Sequence, residues 1–128
     1  MTKVAAAIIR KNGKILICKR GAGGNCGHLW EFPGGKQEDG ETLTECLERE
    51  LNEELGVKIR VKGVFDTVVY RYPDREIFFT FFNAEIEEGI PCPTVHEEIK
   101  WVTPKELTEY EFCPADIEIV KKLHEESG

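Results

Sequence analysis

The sequence lacks any apolar run long enough to cross a membrane. Its N-terminal apolar stretch, Val4 to Ile9, is far shorter than the ~20 residues that span a bilayer. The opening Met1-Thr2-Lys3 does not lead into the long apolar region and small-residue cleavage site of a signal peptide. We therefore expect a cytoplasmic protein that has no contact with a membrane.

Cysteines are few, and their spacing does not favour a disulfide framework. The chain has five cysteines, an odd number, and no two of them show C-x-x-C spacing. We expect them to be reduced thiols. Cys26 and His28 are close in sequence, but two ligands do not complete a tetrahedral zinc site.

Positive charge is also scarce, with 17 basic against 24 acidic residues and a net charge of −7. This balance disfavours a long polyanion such as duplex nucleic acid as a partner. A small nucleotide remains possible, because metal ions and a few basic side chains such as Arg20 can receive its phosphates. The 128 residues contain no repeat or linker, so we expect a single domain over residues 1–128, either monomeric or homodimeric.

Turn signals and apolar patterns predict a strand, a helix, further strands and a last helix. Asn12-Gly13 joins two apolar runs, which is a strong hairpin signal. This order of elements favours an α/β fold with a mixed sheet between helices. A last helix at 114–124 would bury Ile117, Val120 and Leu123 on one side. The other predicted elements are strands at 57–69, 77–86 and 99–102, and turns at 72–75 and 103–106.

Two segments are candidates for ligand contact. Residues 21–28 contain four glycines and are too flexible to define their own shape, so they are a candidate lid over a substrate. The aromatic run from Phe78 to Phe82 lies in a predicted strand. Most of these rings should belong to the core, which leaves one or two for stacking on a base.

The best-defined element is a helix at residues 43–55. Thr42 and Glu45 form a capping-box pattern at its start, and Gly56 stands where helices commonly end in a left-handed residue. At about 100° per residue, four leucines fall on one stripe that must face the core. These residues are Leu43, Leu47, Leu51 and Leu55.

Three glutamates of this helix raise the question of a metal site. Glu50 and Glu54 fall inside or beside the leucine stripe, and Glu53 lies just around the helix from them. Buried carboxylates that repel one another require a compensating cation. Oxygen-only ligands favour Mg²⁺ or Mn²⁺. The alternative is a solvated acidic face, which is the usual state of a run of charges.

The surrounding pattern resembles the Nudix box, G-x5-E-x7-R-E-U-x-E-E-x-G-U, at every fixed position. The match runs from Gly35 through Glu41 and Arg49 to Val57. The segments Leu29–Gly35, 72–75 and 112–116 resemble the MutT-type branch of the same family. The resemblance thus covers nearly the whole chain and implies the Nudix α/β/α sandwich.

The resemblance also implies site residues. Members of the family hydrolyse a nucleoside diphosphate linked to another group, and they use a divalent cation that makes hydroxide available and neutralises the leaving pyrophosphate. Arg49 would orient the glutamates, Glu41 would support the loop, and Phe32 would contact the substrate. The implied metal ligands are the Gly35 carbonyl, Glu50, Glu53 and Glu54.

The general base is left open. Glu50 is one candidate, and a glutamate in the loop before Trp101 is another in MutT-type enzymes. This chain departs from that pattern because Val95 stands where the loop glutamate is expected. Glu97 or Glu98 would then substitute, unless both are simply solvated loop residues.

Asp116 is the candidate for substrate choice. The 8-oxo-dGTP hydrolases of the MutT type carry asparagine at the matching position, whereas an ionised aspartate only accepts hydrogen bonds. An acceptor suits the exocyclic amine of cytosine or adenine, and the segment also resembles bacterial CTP pyrophosphohydrolases. The alternative role for Asp116 is to cap the last helix.

These expectations combine into one predicted function, the Mg²⁺-dependent hydrolysis of a nucleoside triphosphate to its monophosphate and pyrophosphate. A modified or pyrimidine nucleotide is expected, in a pathway that cleanses the nucleotide pool. One alternative is a pyrophosphatase for ADP-ribose or another nucleoside diphosphate derivative. The other is a non-catalytic Nudix domain that senses a nucleotide.

Overall fold

Strands dominate the computed structural model, which describes residues 1–126. Two α-helices and two short 3-10 turns accompany seven strands within that range. The elements are β1 (Thr2–Lys11), β2 (Lys14–Lys19), β3 (Trp30–Glu31), β4 (Gly34–Lys36), α1 (Leu43–Leu55), β5 (Lys58–Tyr72), β6 (Arg75–Glu88), β7 (Glu98–Val102), the 3-10 turns Pro104–Glu109 and Pro114–Asp116, and α2 (Ile117–Glu125).

The sheet is mixed, as predicted. Its strand order is β3-β2-β1-β6-β5, with β4 paired to β1 and β7 paired to β2. β1 and β6 run parallel, and the other paired strands run antiparallel. The hairpin between β1 and β2 is confirmed, since Asn12 and Gly13 have φ values of 53° and 77°, as a type I′ turn requires.

Alternation along β1 divides the buried residues into two cores. Ala5, Ala7 and Ile9 pack on the side of α1, whereas Ala6 and Ile8 pack on the side of α2. Successive strand residues point to opposite faces of a sheet, so a strand that is apolar on both faces needs a cover on each. The layers are therefore helix, sheet and helix, which confirms the predicted sandwich.

The helix at 43–55 is confirmed with the predicted ends. The Thr42 hydroxyl accepts from the Glu45 N–H at 3.0 Å, and the Glu45 carboxylate accepts from the Thr42 N–H at 2.8 Å. Gly56 has a left-handed φ of 70°, and its N–H bonds to the Asn52 carbonyl. Three leucines of the predicted stripe are fully buried, and Leu43 packs at the edge of the same core.

The last helix differs from its prediction. Residues Pro114–Asp116 form a 3-10 turn, and only Ile117–Glu125 are α-helical. Ile117 is 43% exposed, and Ile119 takes its place beside Val120 and Leu123 in the core. The tighter 3-10 turn changes the angular position of the residues that follow, so a single helical wheel starting at Pro114 misplaces Ile117.

The loop between β6 and β7 is attached to the C-terminal end of α1. The Cys92 and Thr94 N–H groups donate to the Leu55 and Glu54 carbonyls at 3.0 and 3.1 Å. The Thr94 hydroxyl donates to the Glu53 and Glu54 carbonyls at 2.9 and 2.8 Å. These bonds satisfy carbonyls that a helix end leaves without partners. None of the helices in the described chain is both long and apolar enough to cross a bilayer.

Candidate active site

A cavity of about 740 Å³ lies between the glycine-rich loop and the segment that contains β3 and β4. This volume is within the usual range for a small-molecule site. The candidate residues Arg20, Phe32, Gly35, Glu54 and Asp116 all line it. The cavity therefore has an acidic end beside α1 and a second end near Asp116 and the aromatic rings.

The carboxylates of Glu50 and Glu54 meet at the acidic end. Oε1 of Glu54 is buried and has no hydrogen-bond partner. Burial raises the pKa of Glu54 to about 9, and the hydrogen bond with Glu50 and the charges of Glu50 and Glu31 add to this effect. Glu50 lies directly against Gly35, where a Cβ would overlap its carboxylate. Glycine at position 35 thus makes room for Glu50.

Glu53 does not join this pair. Its side chain is 60% exposed and lies 3.3 Å from Arg49, whereas those of Glu50 and Glu54 are only 17% and 14% exposed. The expectation of three converging buried carboxylates is therefore wrong for Glu53, which follows the alternative of a solvated residue. No three His, Cys, Asp or Glu side chains within residues 1–126 are already arranged as a metal site.

Arg49 connects the helix to the loop before it. Its guanidinium donates to both Glu41 oxygens at 2.7 and 3.1 Å, and to Glu50 at 2.9 Å. It also donates to the Lys36 carbonyl at 3.2 Å. The hydrogen bond from Arg49 is the main reason that the pKa of Glu41 falls to about 2. Arg49 therefore holds Glu50 and the loop in one arrangement.

Glu97, at the end of the loop before β7, and Glu98, the first residue of β7, both lie outside the cavity. Glu97 pairs with Lys19 at 3.3 Å and with His28 at 3.0 Å. Glu98 is exposed and lies 3.8 Å from Lys100. Neither residue lines the cavity, whereas Val95 does. These positions argue against Glu97 or Glu98 as a substitute for the missing loop glutamate.

His96 and Glu31 are parts of the site that sequence reasoning missed. The His96 side chain is 4% exposed, and its Nε2 lies 2.9 Å from Oε2 of Glu31 and 3.8 Å from Oε1 of Glu54. The other Glu31 oxygen accepts from Arg20 at 3.2 Å. The sequence contained one signal for Glu31, its position between Trp30 and Phe32, because a charged residue within an apolar segment needs partners.

The second end of the cavity contains Asp116. This residue is 5% exposed and makes no side-chain capping hydrogen bond to α2, so the alternative cap role is wrong. Burial raises its pKa well above the ordinary value, and the negative charge of Glu31 adds to the shift. Phe32 is 3% exposed and packs against Phe81 and Phe112. It is a rigid wall of the cavity.

Residues 1–123 match the NUDIX domain family. The chain belongs to the Nudix family. It is 35% identical over 122 residues to the 8-oxo-dGTP diphosphatase of Escherichia coli K12, which covers 94% of this chain and 95% of the relative. It is also 35% identical over 121 residues to the CTP pyrophosphohydrolase of the same organism, at 94% and 90% coverage.

Two solved structures share the fold. The E. coli ORF135 protein superposes with a TM-score of 0.83 at 34% identity, which covers 94% of this chain and 86% of that one. The MutT protein of Methanosarcina mazei Go1 gives a TM-score of 0.84 at 21% identity, over 98% and 94% of the two chains. The second similarity concerns the fold alone.

The Nudix box of this chain fits a hard divalent cation. The implied ligands are all oxygen atoms, which Mg²⁺ and Mn²⁺ prefer. Oε1 of Glu54 has no hydrogen-bond partner, and burial beside Glu50 keeps the Glu54 carboxyl protonated when no cation is bound. The Gly35 carbonyl accepts a weak bond from the Cys46 thiol at 3.5 Å. A cation would relieve the repulsion and satisfy the buried oxygen.

Proposed function

We propose that this Nudix enzyme hydrolyses a nucleoside triphosphate to the monophosphate and pyrophosphate with Mg²⁺ as cofactor, and that Mn²⁺ can replace it. The observation that carries the proposal is the buried Glu54 carboxyl, whose Oε1 has no hydrogen-bond partner, next to Glu50 at a cavity large enough for a nucleotide. The names of the two E. coli relatives support the same reaction class. Five unpaired thiols fit a reducing compartment such as the cytoplasm.

Each part of the cavity then has a role. Glu50, Glu54 and the Gly35 carbonyl would hold the cation, and Glu53 would reach it from its exposed position. The cation would supply an acidified water and neutralise charge on the leaving group. Arg49 keeps Glu50 in place through the contact described above. At the opposite end, the Phe32 wall and Asp116 would lie beside the base of the nucleotide, and Arg20 would lie near the phosphates.

A screen of nucleotides tests this proposal. Purified protein is incubated with CTP, 8-oxo-dGTP, ADP-ribose and the common triphosphates, with Mg²⁺ or with a chelator, and products are identified by chromatography. We expect pyrophosphate and a monophosphate only when the cation is present. Preferential cleavage of ADP-ribose would favour the alternative substrate. Nucleotide binding without any cleavage would instead indicate a sensing domain.

The protonation state of Asp116 changes which nucleobase we expect the substrate to carry. Because its raised pKa favours the protonated acid, Asp116 in the empty cavity has one O–H donor as well as acceptors. The sequence argument assumed an ionised, acceptor-only group. Like asparagine, a protonated Asp116 can both donate and accept a hydrogen bond, so both relatives' base types can be recognised.

Substrate preference should therefore depend on pH. As pH rises and Asp116 ionises, it loses its donor and favours an exocyclic amine, so the kcat/KM ratio of CTP to 8-oxo-dGTP should rise about tenfold, roughly the effect of one hydrogen bond. Asp116→Asn should give a ratio that does not change with pH, and Glu118→Gln, at an exposed position of α2, should behave like the wild type. An unchanging ratio in the wild type would contradict the role of Asp116.

A further inference from the structure

Two cysteines from distant parts of the chain meet at the cavity. Cys26 belongs to the glycine-rich loop, Cys113 precedes the 3-10 turn that contains Asp116, and both line the cavity. Burial raises the pKa of the Cys113 thiol, and the neighbouring Cys26 thiol adds to this effect. Arg20 and Tyr72 each interact electrostatically with both. The pair is therefore a local cluster of thiols that the catalytic proposal does not use.

The backbone holds both cysteines against the same short segment. The Cys26 carbonyl accepts from the Leu29 N–H at 3.1 Å, and the Trp30 carbonyl accepts from the Cys113 N–H at 2.8 Å. Leu29 and Trp30 are neighbours in sequence, so both cysteines are fixed to adjacent residues at the start of β3. Their proximity therefore follows from the fold and does not depend on the side chains alone.

We propose that Cys26 and Cys113 form a reversible disulfide when a peroxide is present, and that this bond restrains the glycine-rich loop across the nucleotide-binding end of the cavity. The site is thus a position of oxidative modification. Bond formation is independent of the function proposed above, whereas its effect on turnover rests on that function.

The two thiols have different parts in the oxidation. Cys26 is partly exposed and Cys113 is buried, so the Cys26 thiolate meets the oxidant. Its sulfur attacks one peroxide oxygen and the O–O bond breaks, which gives a sulfenic acid and, after proton transfer, water. The Cys113 thiol then attacks that sulfur, the S–O bond breaks, and a second water leaves. Two thiols and one hydrogen peroxide thus give one disulfide and two waters.

The disulfide would act on substrate entry. Residues 21–25 of the loop line the cavity together with Asp116, which lies three positions after Cys113. A covalent bond from the loop to this segment would fix one wall of the nucleotide-binding end in a single position. Loops that cover an active site must move for substrate to enter and product to leave, so restraint should slow turnover.

Oxidation of the full-length protein tests the proposal. The reduced protein is treated with hydrogen peroxide, free thiols are blocked, and digested peptides are analysed by mass spectrometry. We expect a linked pair of peptides that contain Cys26 and Cys113, reversal by dithiothreitol, and a roughly tenfold fall in turnover for the oxidised protein. Each variant is compared with its own untreated activity.

Cys26→Ser and Cys113→Ala should both remove the linked peptides and the sensitivity to peroxide, and the two variants together guard against one that folds poorly. Cys92→Ser changes an exposed cysteine that does not line the cavity, and it should oxidise like the wild type.

Oxidation of Cys26 to a sulfinic acid without a cross-link would overturn the proposed disulfide. A complete cross-link that leaves turnover unchanged would overturn the proposed restraint on the loop. Because the linked peptides are measured directly, the test of the bond stands even if the nucleotide screen finds no substrate.

Discussion

Replacing Glu54 with glutamine should reduce turnover at least about 100-fold without unfolding the protein. The change removes a proposed metal ligand but keeps the shape of the side chain, and loss of even a supporting contact to a metal costs about 10-fold to 100-fold. In the metal-free protein the carboxyl is neutral at pH 7 because its pKa is raised to about 9. Folding of the wild type includes the cost of protonating Glu54, and glutamine avoids that cost. The free energy of unfolding of Glu54→Gln, measured in denaturant, should therefore be about 1–3 kcal/mol higher than that of the wild type.

The matched control is Glu48→Gln, which changes an exposed glutamate of the same helix. A cation that binds only the folded state raises the thermal midpoint. Mg²⁺ should therefore raise the Tm of the wild type and of Glu48→Gln, but raise that of Glu54→Gln much less. Full activity of Glu54→Gln, or an equal Mg²⁺ effect on all three proteins, would refute the role of Glu54 as a ligand.

The second large effect is expected at two neighbouring glycines, for different reasons. A Cβ on Gly35 would overlap the Glu50 carboxylate, whereas a Cβ on Gly34 would overlap the backbone of Ala5 and Ala6. A side chain can turn away, but β1 lies in the centre of the sheet and cannot move cheaply. Gly35→Ala should thus lower turnover about 100-fold in a folded protein, and Gly34→Ala should lower the unfolding free energy by at least about 3 kcal/mol.

Circular dichroism during denaturant unfolding, together with kcat, separates these two results. Gly63→Ala is the control, because a Cβ at this position would have no atom within 4 Å. It should leave both quantities close to those of the wild type. If Gly35→Ala kept wild-type kcat, the position of Glu50 against Gly35 would be irrelevant to the reaction.

Local sequence was sufficient to predict the helix that carries the glutamates. Thr42, Glu45 and Gly56 define its ends through contacts within a few residues, and the leucine stripe fixes its buried face. The outward position of Glu53 was not predictable in this way. Arg49 contacts Glu41, Glu50 and Glu53 together, and this arrangement depends on the folded loop.

Long-range contacts explain the other differences. His96 and Glu31 are 65 positions apart in sequence, so no local pattern predicts their hydrogen bond. The protonation of Asp116 depends on burial by elements from other parts of the chain and on the charge of Glu31. The sequence thus identified Asp116 as a candidate, but its chemical state required the assembled cavity.

The bonds from Cys92 and Thr94 to the end of α1 have a consequence for motion. Because Thr94 is fastened to the Glu53 and Glu54 carbonyls, the segment that carries His96 moves together with the helix that carries the glutamates. One side of the cavity is therefore rigid. The glycine-rich loop lies on the other side of the cavity, and we expect it to supply the motion that opens the cavity for nucleotide exchange.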